Sequence, residues 1–211
     1  MWHGPDVLRE SRHRNPARAA WPAGTDSAVH TDAMTTTFND QERVASVVTG
    51  SWPGIFVKER ITIQAPADVL FDFWRDADNL PSVMPFIHWI DRFGDRRSQW
   101  AVQGPAGSLI EWDAEITTEV PDELIAWRSM PGAVVASAGS VLFRPAGPCS
   151  TRVTLILQFA PADGRVGAAM AHAFGRSPEV AIHRALESHK LTMESAGRAS
   201  AISEMWTALA V

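Results

Sequence analysis

The chain has 211 residues, 45% hydrophobic and 20% charged, enough for one ordinary domain with a core and a tail. Its net charge of -5 and pI of about 5.8 argue against a broadly basic nucleic-acid surface, so no nucleic-acid partner is expected. No apolar run approaches the ~20 residues of a membrane helix, and Cys149 stands alone, which excludes an internal disulfide and fits a reducing, cytoplasmic setting.

Residues 1–50 show no sustained period and are rich in Ala, Ser, Thr, Asp, Arg and Pro, so they read as a mostly disordered tail. They lack the apolar centre of a secretory signal, and Asp6 and Glu10 sit poorly in a transit peptide. Met34 is a candidate start of translation, and residues 40–48 could form one short helix. From residue 55 the pattern sharpens. IFVKERITI alternates β-branched residues with charges and reads as a strand. Pro66 opens PADVLFDFWRDA, a helix with Val69, Leu70, Phe73 and Trp74 on its apolar side, and NLPSVMP reads as a second short helix or turn. Six strand-like runs follow: FIHWIDRF, RSQWAVQ, SLIEWDAEITTE, ELIAWRSM, GSVLFRP and TRVTLILQFA. Gly94-Asp95, Gly104-Pro105-Ala106-Gly107, Pro121-Asp122 and 145–148 supply turns short enough for an antiparallel meander. GRVGAAMAHAF then places Val166, Met170 and Phe174 on one helical face, Gly175 interrupts, and Ser177-Pro178-Glu179 caps a restart. Beyond it Ile182, Ala185, Leu186, His189 and Met193 share one face. The expected fold is α+β: a seven-stranded antiparallel sheet wrapped around a long C-terminal helix bent or broken near Gly175, with two short helices after the first strand.

The segments ITIQAPADVLFDFWRDADNLPSVMP, GPAGSLIEWDAEITTEVPDELIAWRS, AGSVLFRPAG and ALESHKLTME occur in an order that resembles the START-like, or helix-grip, superfamily (SRPBCC). Within it they are similar to the bacterial polyketide cyclase/dehydrase and coenzyme-Q-binding group. The resemblance implies a ligand-binding domain over residues 51–196, with residues 1–50 as the tail and 197–211 as a C-terminal extension. It also implies a cavity between sheet and helix. A shared fold leaves the ligand open, since relatives bind lipids, quinones, sterols, polyketides or plant hormones.

Two faces of one strand separate the candidate sites. Glu111, Asp113 and Glu115 lie two apart and share a face; burying three like charges would be costly, so that face is solvent, opposite Arg96 or Arg128. Trp112 then points inward, as do Trp100 and Trp127 with Ile125 and Ser129, and three inward indoles suit a cavity for a flat or polyisoprenoid ligand. Phe73, Trp74 and Met84 lie in the helical segment that would gate it, and Leu186, His189 and Met193 would complete the wall. His189 either bonds a backbone carbonyl at the helix edge or reaches the ligand, where it could move a proton. Glu59 and Arg92 share parity with inward residues and are further polar candidates. His172 and His183 point elsewhere by helical angle, and no metal spacing, phosphate loop, dinucleotide fingerprint or nucleophile elbow is present, so no metal or cofactor is expected. Cys149 has no base nearby in sequence.

The first functional expectation is binding or transport of a hydrophobic small molecule; a homodimer is left open. The second is a cofactor-independent polyketide cyclase, aromatase or dehydratase using His189, Glu59 or Arg92 in the same cavity. The third is a protein-interaction module using the outer sheet face. The domain boundary is testable by truncation. Deleting residues 1–33 is expected to leave the thermal melting temperature essentially unchanged, and a large drop would assign the tail to the domain.

Overall fold

Alternation of apolar and polar residues produces the strands, and one helical stripe gives them something to close on. The structure, a computed structural model, describes residues 55–161, 164–175 and 177–209; the expectations for residues 1–50 lie outside them. Strand β1 (Ile55–Ile63) is followed by helix α1 (Ala67–Arg75), a 3-10 turn (Ala77–Asn79) and helix α2 (Leu80–Val83). Strands β2 (Ile87–Arg92), β3 (Arg97–Gln103), β4 (Leu109–Val120), β5 (Leu124–Ser129), β6 (Val135–Gly147) and β7 (Ser150–Pro161) form the meander, and helices α3 (Gly164–Phe174) and α4 (Pro178–Leu209) complete the chain. The sheet is seven-stranded and antiparallel, in the order β1-β7-β6-β5-β4-β3-β2. The first strand thus returns to the far edge beside the last. This is the expected α+β architecture of a curled sheet gripping a long helix.

Helix α4 begins as its sequence requires. Ser177 accepts the Val180 N–H at 3.3 Å and its hydroxyl donates to Glu179 Oε2 at 2.7 Å, while Pro178 occupies the first helical position. Gly175, at φ +68, supplies the left-handed turn that separates α3 from α4. Ile182, Ala185, Leu186, His189 and Met193 are all buried, so the whole apolar stripe of α4 faces the sheet. The helix continues past residue 196 without a break. Val166, Met170 and Phe174 are likewise buried along α3.

Helix α1 buries a different stripe from the expected one. Leu70, Phe71 and Trp74 are buried and Val69 is exposed, with Phe73 partly buried at the edge. Both stripes have helical spacing; the packing partner decides. Phe71 meets Phe143 of β6 edge to face, with ring centroids 5.9 Å apart. Strand β6 also starts four residues before the expected run, because Val135 to Ala138 pair with β7 although three of the first four residues are small or polar.

The inner face carries the main core. A register shift between Ile116 and Thr118 in β4 exchanges the two faces, so Glu119 lies opposite Ile125 and reaches Arg75 of α1 at 2.9 Å. The outer face has the expected charge pairing at Arg128–Glu115, 2.9 Å, yet it also holds a small buried apolar group of Leu124, Ala126, Leu142 and Ile156.

Gly139 on β6 is a close-approach glycine. It lies opposite Trp127, and a Cβ there would stand 2.6 Å from the indole Cε2 and 2.8 Å from Leu157 Cδ2. Gly139→Ala is therefore expected to destabilise the fold by about 1–3 kcal/mol in chemical denaturation and to shift the tryptophan emission, because the rigid ring has to move. Unchanged stability and emission would show that Trp127 moves freely.

Candidate functional site

The register brings three tryptophans of adjacent strands together. Trp100 pairs directly with Trp112, and Trp127 lies opposite Ile116 on the next strand. Trp100 is the centre of the group: its ring centroid is 6.3 Å from that of Trp112 and 6.0 Å from that of Trp127, with interplanar angles of 27° and 19°. Its indole N–H donates to Ser98 Oγ at 2.9 Å, two residues along the same face. Trp112 is buried, while Trp100 and Trp127 are partly buried and border open space.

That space lies on both sides of the Trp100–Trp127 pair. A shallow cavity of about 40 Å³ is walled by Trp74, Leu80, Trp100, Ile116, Ile125 and Trp127, and by arginines at its mouth. A deeper cavity of about 50 Å³ is walled by Trp100, Trp112, Trp127, Val102, Leu157 and Phe159, with Met170 and Phe174 from α3 above. Its polar lining is Ser137 and Gln158; no lining residue is titratable. Phe86 and Phe174, 4.7 Å apart, close the deeper cavity on its other side and also border a surface groove of about 500 Å³ at the α3–α4 junction. Phe174 stacks on Phe159 at 4.8 Å and 9°. Trp100 and Trp127 thus line both small cavities, and Phe86 and Phe174 line both the second cavity and the surface groove.

The other candidate residues sit elsewhere. Phe73, Met84, Leu186, His189 and Met193 belong to the packed core or its margin and line none of these three spaces. His189 is fully buried. Trp74 Nε1 donates to its Nδ1 at 3.3 Å, and the Phe73 ring stacks on it at 4.6 Å. Because Nδ1 accepts, the neutral ring carries its proton on Nε2, which finds no hydrogen-bond partner in its buried site. Burial pulls its pKa from 6.5 down to about 4. Glu59 turns to the rim, 3.3 Å from His183 Nδ1 on the exposed side of α4. Arg92 borders the mouth of the shallow cavity, 3.9 Å from Asp76. His189, Glu59 and Arg92 thus have separate partners, Trp74, His183 and Asp76, and do not converge on one point. The acidic row stays at the surface, with Glu111 exposed and Glu115 held by Arg128. Among the described residues no His, Cys, Asp and Glu group has metal-binding geometry, and Cys149 is exposed.

A family model described as polyketide cyclase / dehydrase and lipid transport matches residues 63–187. The chain belongs to this family. A crystal structure of a Deinococcus radiodurans protein is 34% identical, covers 67% of this chain and 99% of its own, and superposes with a TM-score of 0.56. An uncharacterized 17.2 kDa protein of Streptomyces lincolnensis is 31% identical over 105 residues, 50% of this chain and 69% of that one. The Zhui aromatase/cyclase of Streptomyces sp. R1128, at 19% identity and a TM-score of 0.50 over 65% of this chain and 94% of its own, shares the fold. Family membership places the chain among proteins that bind hydrophobic ligands or cyclise polyketides, and no described helix is long and apolar enough to cross a membrane.

Sequence reasoning missed Phe86, Phe174 and Leu157 as cavity lining. Phe174 was visible as a helix-face residue, but its place over the sheet depends on the turn at Gly175. The hydrogen bond from Trp74 to His189 joins residues 115 positions apart and left no local signal.

The buried histidine has a pH consequence. Its folded pKa lies below its unfolded value, so the unfolded chain binds the extra proton between pH 6.5 and 4. The stability it allows is complete above 6.5 and is lost as pH falls toward about 4. The loss is about 3 kcal/mol across that window. Urea denaturation of the wild type and of His189→Gln over this range should show the steeper acid loss in the wild type; parallel curves would mean the ring protonates without unfolding.

Proposed function

We propose that the chain binds and carries a hydrophobic small molecule of quinone, lipid or polyketide type between its sheet and its C-terminal helices. The observation that supports this reading is the deeper cavity, which is walled by Trp100, Trp112, Trp127 and Phe159 and holds no titratable group. An apolar, aromatic surface binds by area and stacking; proton transfer needs an acid or base within hydrogen-bond reach of the ligand. Trp74, Trp100, Trp112 and Trp127 form the wall in this reading. Phe86 and Phe174 form the inner gate, and the turn at Gly175 is the hinge on which α3 carries Phe174.

The volumes bear on how the ligand enters. Sites for drug-sized ligands run to roughly 300–1,000 Å³, and the two small cavities are about 40 and about 50 Å³. Binding therefore requires the rings shared between neighbouring spaces, Trp100 or Phe86 and Phe174, to move. A polyketide cyclase, aromatase or dehydratase that works without a cofactor is the second reading. It is favoured by the cyclase part of the family description and by Arg92, a cation at the shallow cavity that could polarise a carbonyl.

The deciding measurement is native mass spectrometry of the purified protein, followed by organic extraction. It is repeated after incubation with quinones and poly-β-ketone analogues. Carriage predicts recovery of the bound molecule at unchanged mass, together with quenching of tryptophan fluorescence on titration. Recovery of a product lighter by one water would establish the cyclase or dehydratase reading. An empty protein with unresponsive fluorescence would mean that the tryptophans are only core.

A further inference from the structure

The face of the sheet turned away from the helices is closed as well. Along β6, Gly139 meets Trp127 on the inner side, so Ala138, Ser140 and Leu142 point outward. The register sets Ser140 between Ala126 of β5 and Ile156 of β7. Ala126, Ser140 and Ile156 are 0% exposed, and Leu142 and Leu124 beside them 2% and 4%. Neighbours on the same face do not account for this: Lys58, paired with Ile156, is exposed, and Thr118, paired with Ala126, is half-buried. Nor do the described helices, whose large buried apolar side chains all belong to the inner core. Helix α4 follows β1 from Glu59, beside His183, to Gln64, beside Glu194, and then leads on past the end of that strand. The Ser140 hydroxyl has no hydrogen-bond partner among the described residues. A sheet face in water leaves its side-chain tips accessible, so a second layer lies on this one.

We propose that residues 38–53 of this chain, the segment that leads into β1, form that layer, with Val44, Val47 and Val48 against the outer group. The burial is that of a single chain, so no second copy is needed to produce it. Outside the described residues, 1–54 is the one long stretch, since 162–163, 176 and 210–211 are too short to cover a sheet. The segment has the right pattern. Val44, Val47 and Val48 recur at i, i+3 and i+4, one side of a helix, and Asn39 with Glu42 three residues later is a helix-start signal. It also has the right reach. The edge strand β1 begins at Ile55, three residues along from Lys58, which is level with Ile156. That is ~10 Å along the strand, and residues 49–54 can span up to ~20 Å. A helix over residues 40–48 would be ~14 Å long, enough to cross the ~10 Å from β7 to β5. The segment carries Asp40 and Glu42 against one base, Arg43, and the sheet edge it crosses carries exposed Lys58 and Arg60.

Thiol labelling of the full chain tests this. With Cys149→Ser as background, Ala126→Cys places a probe in the outer group and Ala185→Cys one in the inner core. Both should react with an aryl disulfide reagent at least about tenfold more slowly than the exposed Cys149 of the wild type. Adding Val44→Asp/Val48→Asp should speed the Ala126→Cys probe about tenfold, because carboxylates do not stay in an apolar contact. The Ala185→Cys probe should stay slow, and Val29→Asp, outside the segment, should change neither. Fast labelling at Ala126→Cys with the segment intact would show an open face and overturn the proposal. Slow labelling that ignores the two aspartates would overturn it too, by assigning the cover to another part of the chain. Equal acceleration at both probes would make the segment a support of the whole fold and not of this face. Protection that appears only at high protein concentration would give the face to a second copy, which also overturns it.

Discussion

The stacked indoles of Trp112, Trp100 and Trp127 are the contact on which the interior is organised. They come from three consecutive strands, so the stack forms only if the β3–β4 and β4–β5 registers are both correct. A slip of one residue would send every indole to the outer face. The third constraint comes from β6, where Gly139 leaves the gap that the Trp127 ring fills. The opposite half of the grip is filled by side chains of α4, with Ile182, Leu186 and His189 buried among them. The same sheet is thus a close-packed core at the β1 side and a wall of large flat rings toward β3, and the incomplete fit of those rings produces the cavities.

Much of this was legible along the chain. The strand–helix–meander–helix order, the inward tryptophans and the buried stripe of α4 follow from period and turn chemistry, which are local. What was not legible depends on contacts between distant segments. On α1, the choice between a stripe containing Val69 and one containing Phe71 is made by Phe143, which lies on β6. On β4, parity correctly turns Trp112 inward but fails after the register shift at Ile116, so Glu119 faces α1 and not solvent. His189 was recognisable as a polar residue on an apolar face. Its surroundings, the Trp74 indole and the Phe73 ring, are fixed by how α1 lies across α4.

The polar chemistry is sorted by position. The buried histidine is neutral and enclosed, and the rim carboxylates Glu59 and Glu119 are matched by His183 and Arg75. Such sorting follows from the cost of desolvating charge: an ionised group in the tryptophan-walled space would need a partner that the lining does not provide. Charge thus stays at the rim, and apolar surface lies within.

This order also bears on the aromatic partitions. Trp100 is held in its stack by one hydrogen bond to Ser98 and by ring contacts whose apolar and π character a flat ligand can reproduce. Displacing such a ring costs less than opening a cavity in interlocked aliphatic packing, because stacking lost to Trp100 is regained by the ligand. On the other side Phe174 rests on Phe159 and Phe86 at the end of a helix that stops at a glycine turn. Both partitions are built from flat rings at the margins of rigid elements. Movement of these rings would enlarge the interior while leaving the sheet register and the α4 stripe in place, which is how small cavities could fit a family described by polyketide cyclisation and lipid transport.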